Sequence, residues 1–501
     1  MVTVSTSKEP AQQKARTGIA GLDDVLAGGF VTGRIYLVEG VPGSGKTTLA
    51  LQFLLEGVHR GERVVYFTLS ETESELRSAA QSHGWSLDGM VVRELVPSED
   101  SLRPEDQYTA FHPSEIELGE TTKQILADVE RVQPTRVAMD SLSELRLLAG
   151  NTLRYRRQIM AFKQFFAKRK CTALMLDDLT APERDLQVQS IANGVVRLEQ
   201  MYPEYGAERR RLNVLKYRGV KTRGGYHDYI IKRGGLEVYP RLVAGEHYRE
   251  FQREKMASGL AALDALIGGG VERGTSTLIL GAAGTGKSSL AAQFAAAAAA
   301  RGESAAMFVF DETLQTLLGR TDNLDINLRQ AVADQKVSIQ QVDPAELSPG
   351  ALIHAMREMV DRGVSMVVID SLNGYLQAMP GERHLIIQLH ELLTYLGNAG
   401  VATVLVGAQQ GLIGSYMSAP VDATYLADAV ILMRYFELKG EVRQAISVVK
   451  KRGGAHERTI REFSMQDGHL GVGPILRDFR GVLTGVPVYS SGKRSARVSP
   501  A

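Results

Sequence analysis

The sequence predicts an α/β protein of two tandem domains, each a mostly parallel sheet flanked by helices. Three observations predict it. A glycine-rich loop of pattern G-x-x-x-x-G-K-[ST] occurs twice, at Gly40–Thr47 and at Gly281–Ser288. The residues around the first loop recur around the second, 241 positions on. Short, continuously apolar runs alternate with stretches of helical apolar spacing, the pattern of strands buried on both faces between helices.

Composition sets the outer bounds. A chain of 501 residues has room for two to four domains. Its 44% apolar, 23% charged and 6% aromatic residues are those of an ordinary globular protein. Lys+Arg 58 against Asp+Glu 57 leaves a formal charge of +1, which argues against nucleic-acid binding through bulk charge. The single cysteine, Cys171, excludes an intrachain disulfide framework and fits a reducing interior. No stretch reaches the roughly 18 apolar residues of a membrane span; the nearest, Phe294–Ala300, is short and mostly alanine. The opening Met1–Ser5 lacks the basic-then-apolar order of a secretory signal. A soluble, cytoplasmic protein without a membrane partner is expected.

In chain order, Ile35–Val38 reads as the strand entering the first loop and Leu49–Val58 as the helix leaving it. Val64–Phe67, Arg136–Met139 and Ala173–Leu176 read as further strands. Thr277–Leu280, Met307–Phe310, Met366–Ile369 and Thr403–Val406 repeat the series. Thr17-Gly18 answers Ser258-Gly259, Leu22-Asp23 answers Leu263-Asp264, and Glu71 answers Glu312, all at the same spacing. Later the spacing drifts: Asp140-Ser141-Leu142 answers Asp370-Ser371-Leu372, and Lys216 to Gly219 answers Lys450 to Gly453. A constant spacing that drifts is one fold duplicated, with insertions and deletions in loops. The expected organisation is a flexible N-terminus (1–14), a first domain (15–245), a second domain (246–485) and a flexible tail (486–501). The polar junction after Ala244 reads as a linker or short connecting helix.

Glycines let successive backbone N–H groups converge on one anion, and the following helix adds its positive end. The loops therefore assign ATP binding to Gly40, Gly43, Ser44, Gly45, Lys46, Thr47 and Thr48, and to Gly281, Gly284, Thr285, Gly286, Lys287, Ser288 and Ser289. Lys46 and Lys287 would face the β- and γ-phosphates, and the Thr47 and Ser288 hydroxyls Mg²⁺. Asp140 and Asp370 each end an apolar run, where a carboxylate can hold the water shell of Mg²⁺ or cap the next helix. Glu71 and Glu312 follow the next strand; each can orient and deprotonate an attacking oxygen, or complement a helix start. Lys216/Arg218 and Lys450/Arg452 lie far along the chain from their own loops. They read either as arginine-finger-type groups acting across a subunit boundary or as a solvated hairpin.

The ordered set of two phosphate loops, Thr/Ser-Gly…Leu-Asp…Gly-Gly before each, Glu after the second strand, Asp-Ser-Leu and Lys-x-Arg-Gly resembles the KaiC family from about Arg16 to Pro487. The resemblance implies duplicated RecA-like P-loop ATPases forming a double-ring homohexamer with ATP between subunits. It implies a first domain that chiefly hydrolyses ATP and a second that is a serine/threonine autokinase. It assigns the acidic pair to Ser70-Glu71 and Asp311-Glu312, and the interface groups to Lys216, Tyr217 and Arg218 and to Lys450 and Arg452. It also implies a role in circadian-type timing or signalling, with a KaiB-like protein or a sensor kinase as partner.

Three features depart from the family pattern. Ser70 replaces a carboxylate, leaving Glu71 alone in the first domain. The phosphoacceptor pair falls on Thr424 and Tyr425, of which Thr424 keeps a hydroxyl of the usual kind; a surface or capping threonine is the plainer reading. The short Ser/Arg-rich tail carries no evident KaiA docking peptide. Two rival readings remain. A RecA/DnaB-like DNA-dependent ATPase would need a basic channel loop, for which Gln409–Gly414 and Arg209–Arg211 are the candidates. An ATP-controlled scaffold would lack kinase activity.

Overall fold

The computed structural model describes residues 12–95, 113–179, 186–203, 206–343, 345–377, 384–409, 424–466, 468–482 and 488–489. They form two compact units that divide between Arg241 and Leu242.

The apolar runs of the first unit are strands Ile35–Gly40, Val64–Thr68, Arg136–Asp140 and Thr172–Asp177, buried at every position. Side chains alternate across a strand, so each run must be apolar throughout to face helices on both sides. Ile35 and Leu37 join one apolar cluster with Tyr155, Phe162 and Cys171; Tyr36 and Val38 join the other with Leu49, Phe53 and Phe30. The nine-stranded sheet runs Gly235–Tyr239, Tyr226–Lys232, Arg209–Tyr217, Gly194–Met201, Ile35–Gly40, Thr172–Asp177, Arg136–Asp140, Val64–Thr68, Met90–Glu94. The last six in that order are parallel, and the first three join them antiparallel.

The second unit has the same order, read from the opposite end of the sheet: Val337–Gln341, Ala305–Val309, Met366–Asp370, Ala402–Ala408, Ser276–Gly281, Ala429–Leu438, Glu441–Lys451, Ile460–Gln466, His469–Ile475. Its central helix, Lys287–Ala300, is built largely of alanine, and Ala291, Ala292, Ala295 and Ala298 are wholly buried. Small side chains let that helix lie close on the sheet. Among the described residues no helix is long and apolar enough to cross a membrane.

The boundaries differ from the sequence expectation. Lys14–Ala15 already pairs with Phe30–Val31, so strand structure begins inside the segment expected to be flexible. Leu242 and Ala244 are buried in the second unit's core, where the Asn398 side chain donates to the Ala244 carbonyl (3.0 Å). The second unit therefore begins before residue 246, and its junction holds only a single 3₁₀ turn, Ala244–Glu246. Val488–Tyr489, within the tail expected to be flexible, pairs with Phe479–Arg480; residues from 490 on lie outside the described residues, as do 1–11.

Candidate active sites

In each unit the central strand ends at a glycine loop, and a helix starts at the loop lysine: Lys46–His59 and Lys287–Ala300. Gly45 and Gly286 cap these helices with φ of 93° and 95°. An added Cβ would lie 2.7 Å from Ile231 Cδ1 or 2.6 Å from Met465 Sδ. Glycine is required there by both backbone angle and space. The result is a helix N-terminus, with its free N–H groups and positive dipole end, at the mouth of the loop.

Ser44 and Thr285 are turned inward and wholly buried; the Thr285 hydroxyl donates to the Ala282 carbonyl (2.9 Å). Their side chains prop the loop. Thr48 is half-buried on the first helical turn, and Ser289 is buried and accepts from Arg320 Nη1 (2.6 Å). Lys46 Nζ donates to the carbonyls of Gly40 (2.9 Å) and Val41 (3.1 Å) and pairs with Asp178 Oδ1 (2.8 Å). Lys287 Nζ donates to the Ala282 carbonyl (2.7 Å), and burial pushes its pKa below the usual lysine range.

Asp140 and Asp370 are strand-end residues beside the loops. Thr47 Oγ1 and the Tyr66 hydroxyl donate to Asp140 Oδ2 at 2.8 and 2.6 Å. Ser141, not Asp140, holds the N-cap position of the following helix, and its side chain makes no capping bond, so the cap reading of Asp140 does not hold. Burial raises the Asp140 carboxyl, against the hydrogen bonds from Tyr66 and Thr47. Burial, then the nearby Glu312 and Asp311, pushes Asp370 up to about 6 against a hydrogen bond from Ser288. Asp370 Oδ2 is buried without a hydrogen-bond partner among the described residues. One hydroxyl beside one under-satisfied carboxylate suits a hard cation completed by water and phosphate oxygens. No group of three or more His, Cys, Asp or Glu able to hold a metal occurs among the described residues.

Glu71 and Glu312 precede helices capped by Thr72 and Thr313, so the helix-start role belongs to other residues. Burial raises the Glu71 carboxyl, aided by the charges of Asp140, Glu75 and Asp178. Thr68 fixes its backbone, accepting from Glu71 N–H (3.0 Å) and donating to its carbonyl (2.7 Å). In the second unit both acids are engaged. Ser371 Oγ donates to Asp311 Oδ2, and Arg320 Nη2 to Glu312 Oε1.

The late cations lie elsewhere. Lys216 Nζ donates to the carbonyls of Gln189 (2.6 Å) and Ser190 (2.9 Å), and Arg218 Nη2 to that of Ser190 (2.8 Å). Correspondingly, Lys450 Nζ donates to the carbonyls of Thr424 (2.8 Å) and Ala427 (2.7 Å), and Arg452 Nη2 to that of Tyr425 (2.8 Å). Thr424 is half-buried and Tyr425 is 53% exposed. Tyr217 is drawn away from this group: it stacks on Tyr36, and its hydroxyl donates to the Gly29 carbonyl (2.8 Å). Register places the pair. Tyr36 lies opposite Gly194, which lies opposite Tyr217, whereas Gly40 lies opposite Leu198, which lies opposite Leu212. Four residues of strand, about 13 Å, separate the two levels. Each domain's cations thus sit at the edge where its parallel strands begin, and its phosphate loop at the edge where they end.

Comparison with known proteins decides the family. A protein-family model described as "ATPase: KaiC" matches residues 15–243 and 256–476. The chain belongs to the KaiC ATPase family. It is similar to the circadian clock protein KaiC3 of Synechocystis sp., at 27% identity over 97% of both chains. It is also similar to the circadian clock oscillator protein KaiC of Synechococcus elongatus, at 26% over 96% of this chain and 93% of that one. The KaiC of Parasynechococcus marenigrum matches at 28% over 96% and 94%.

Within this KaiC-family chain, sequence reasoning missed Asp178 and Arg320. Asp178 pairs with Lys46 and accepts from Ser143 Oγ (2.8 Å). Burial alone would raise its carboxyl, but Lys46 and the serines hold it below the usual range. The signal was two acids, Asp177-Asp178, directly after an apolar run. The basic channel candidate Arg209–Arg211 is largely spent within the fold: Arg210 pairs with Glu208 (2.5 Å) and Arg211 with Glu199 (2.8 Å). Of Gln409–Gly414, residues 410–414 lie outside the described residues.

Proposed function

We propose that this chain assembles, with ATP bound, into a ring, a hexamer in the simplest case, in which each phosphate loop is completed by the cation pair of the adjacent chain. The observation that carries the reading is the separation of loop and cations to opposite edges of the same sheet. A pair set back along the sheet from its own loop and held by backbone carbonyls there is available to a neighbour's γ-phosphate. Its electrostatics agree. Burial and the facing charges of Arg218 and Lys163 depress the Lys216 pKa, so the cluster favours an incoming anion.

In the first domain, Lys46 and the loop N–H groups bind the phosphates, Glu71 orients the attacking water, and the neighbour's Lys216 and Arg218 stabilise the transferring phosphoryl charge. Thr47 with Asp140, and Ser288 with Asp370, would hold Mg²⁺, which supplies charge neutralisation on the phosphates. In the second domain Glu312 serves a protein hydroxyl. Lys450 and Arg452 hold the backbone of Thr424 and Tyr425 at the edge that meets the neighbour's nucleotide, which favours Thr424 as the acceptor. The chain then acts as an ATPase and autokinase in timing or signalling, with a KaiB-like protein or sensor kinase as partner.

The test is phosphosite mapping by mass spectrometry after incubation with Mg²⁺–ATP, beside size-exclusion chromatography with and without nucleotide. Phosphate at Thr424, lost in Glu312→Gln, is expected. A ring that hydrolyses ATP but incorporates no phosphate would leave the scaffold reading. A monomer with full activity would overturn the shared site.

A further inference from the structure

We propose that Glu39, Arg197 and Gln189 form a positioning link. It ties the first domain's phosphate loop to the cation pair that the same domain offers its neighbour, so that nucleotide occupancy is passed from chain to chain in the first domain and not in the second. This rests on the reading that Lys216 and Arg218 act on a neighbour's nucleotide.

Glu39 directly precedes loop residue Gly40, yet it is only 1% exposed. Arg197, opposite it on the adjacent parallel strand, donates to its Oε1 from Nε (2.6 Å) and Nη2 (2.5 Å). Gln189 Nε2 donates to both carboxylate oxygens, at 3.1 and 2.8 Å. The backbone of Gln189 faces the other way: its carbonyl, with that of Ser190, carries Lys216 and Arg218. Lys163 Nζ holds the next carbonyl, that of Ile191, at 2.6 Å. One residue thus contacts the strand feeding the loop through its side chain and the cation pair through its main chain. A shift of Gly40 on nucleotide binding moves Glu39, and Glu39 is fixed to Gln189.

The second domain is an internal control. The registers superpose Glu39 on Leu280 and Arg197 on Leu432, and Leu280 again lies opposite Leu432; Thr424, whose carbonyl accepts from Lys450 as that of Gln189 does from Lys216, stands in the place of Gln189. Lys450 and Arg452 are still held by backbone carbonyls there. Neither packing of the strand nor holding of the cations therefore requires the charged group. A largely buried ion pair is seldom more stabilising than an apolar pair of similar volume, so its presence in one copy alone calls for a role other than stability.

The test measures ATP hydrolysis by the full chain in a Lys287→Ala background, which silences the second site. The double variant Glu39→Leu/Arg197→Leu installs the second domain's solution, and Gln189→Thr breaks the link at a half-buried position should the double variant misfold. Expected are a parent curve that is sigmoidal in ATP, and variants that still bind nucleotide and assemble but give a Hill coefficient near 1. Their kcat falls by about threefold to tenfold, with little change in nucleotide affinity. Variant curves superposing on the parent's, or a hyperbolic parent curve, would overturn the link. Arg218→Ala in the same assay separates the two levels. If it loses activity while the link variants do not, only the link fails. If it too is without effect, the shared-site reading fails and takes the link with it.

Discussion

Asp370 carries a cost in the nucleotide-free protein. Its carboxyl is raised to about 6, first by burial. A carboxyl raised above its unfolded value binds its proton more tightly when folded, so its contribution is present at low pH and is lost as pH rises through about 6. Asp370→Asn should therefore stabilise the nucleotide-free chain by up to roughly 3 kcal/mol at pH 8 and hardly at all at pH 4, read by thermal unfolding across that range. The same variant should bind Mg²⁺–ATP more weakly. Arg320 makes a second case. It links Glu312 to Ser289 on the loop helix, whereas Ala79 stands at the matching place in the first domain. Arg320→Ala should cut phosphate incorporation by about tenfold, a typical effect of misplacing one reacting group, and leave first-domain hydrolysis unchanged. Labelled ATP reads both. Lys46, Thr47, Asp140 and Glu71 stood out in the sequence because both copies carry the same kind of residue there in the same order. Asp178, Arg320 and Glu39 did not, because Ala408, Ala79 and Leu280 stand opposite them. Reading a repeat favours what the copies share and passes over what distinguishes them.

Elements were legible in proportion to how completely they are buried. Of the six parallel strands in each domain, the inner four read as unbroken apolar runs and emerged within two residues of expectation, as in Ile35–Gly40 and Met366–Asp370. The antiparallel strands did not. Arg209–Tyr217 has only Leu212 buried, and its charged residues pair across strands, so in sequence it resembles a solvated basic stretch. The loop-to-helix junction is the element on which both sites depend, and it is sensitive to a single methyl group. Gly45→Ala meets a φ of 93° and Ile231 Cδ1 at 2.7 Å. It should cost roughly 1–3 kcal/mol and weaken nucleotide binding at the first site. Denaturant unfolding and a fluorescent-nucleotide titration measure the two effects. If unfolding were unchanged, the left-handed cap would not be needed in solution.

At the scale of the whole molecule, the proposed assembly, in which a loop at one end of the sheet meets a neighbour's cations from the other, would make each active site the property of a junction between chains. Such a head-to-tail contact uses two different surfaces of the same domain and generates a closed ring when the rotation permits. This has a consequence that no change within one chain could mimic. A Glu71→Gln chain keeps its Lys216/Arg218 pair, and an Arg218→Ala chain keeps its phosphate loop and Glu71. Each alone should be nearly inactive in first-domain hydrolysis. Mixed in equal amounts and allowed to exchange, they form junctions at random, and about a quarter of these unite an intact loop with an intact cation pair. Hydrolysis measured in a Lys287→Ala background should then recover to about a quarter of the parent rate, as subunits exchange. Chains whose sites were complete in themselves would show no recovery at any mixing ratio. The size of the recovered rate, plotted against mixing ratio, also reports whether junctions act singly or in concert around the ring, since concerted action bends the curve below the simple product of the two fractions.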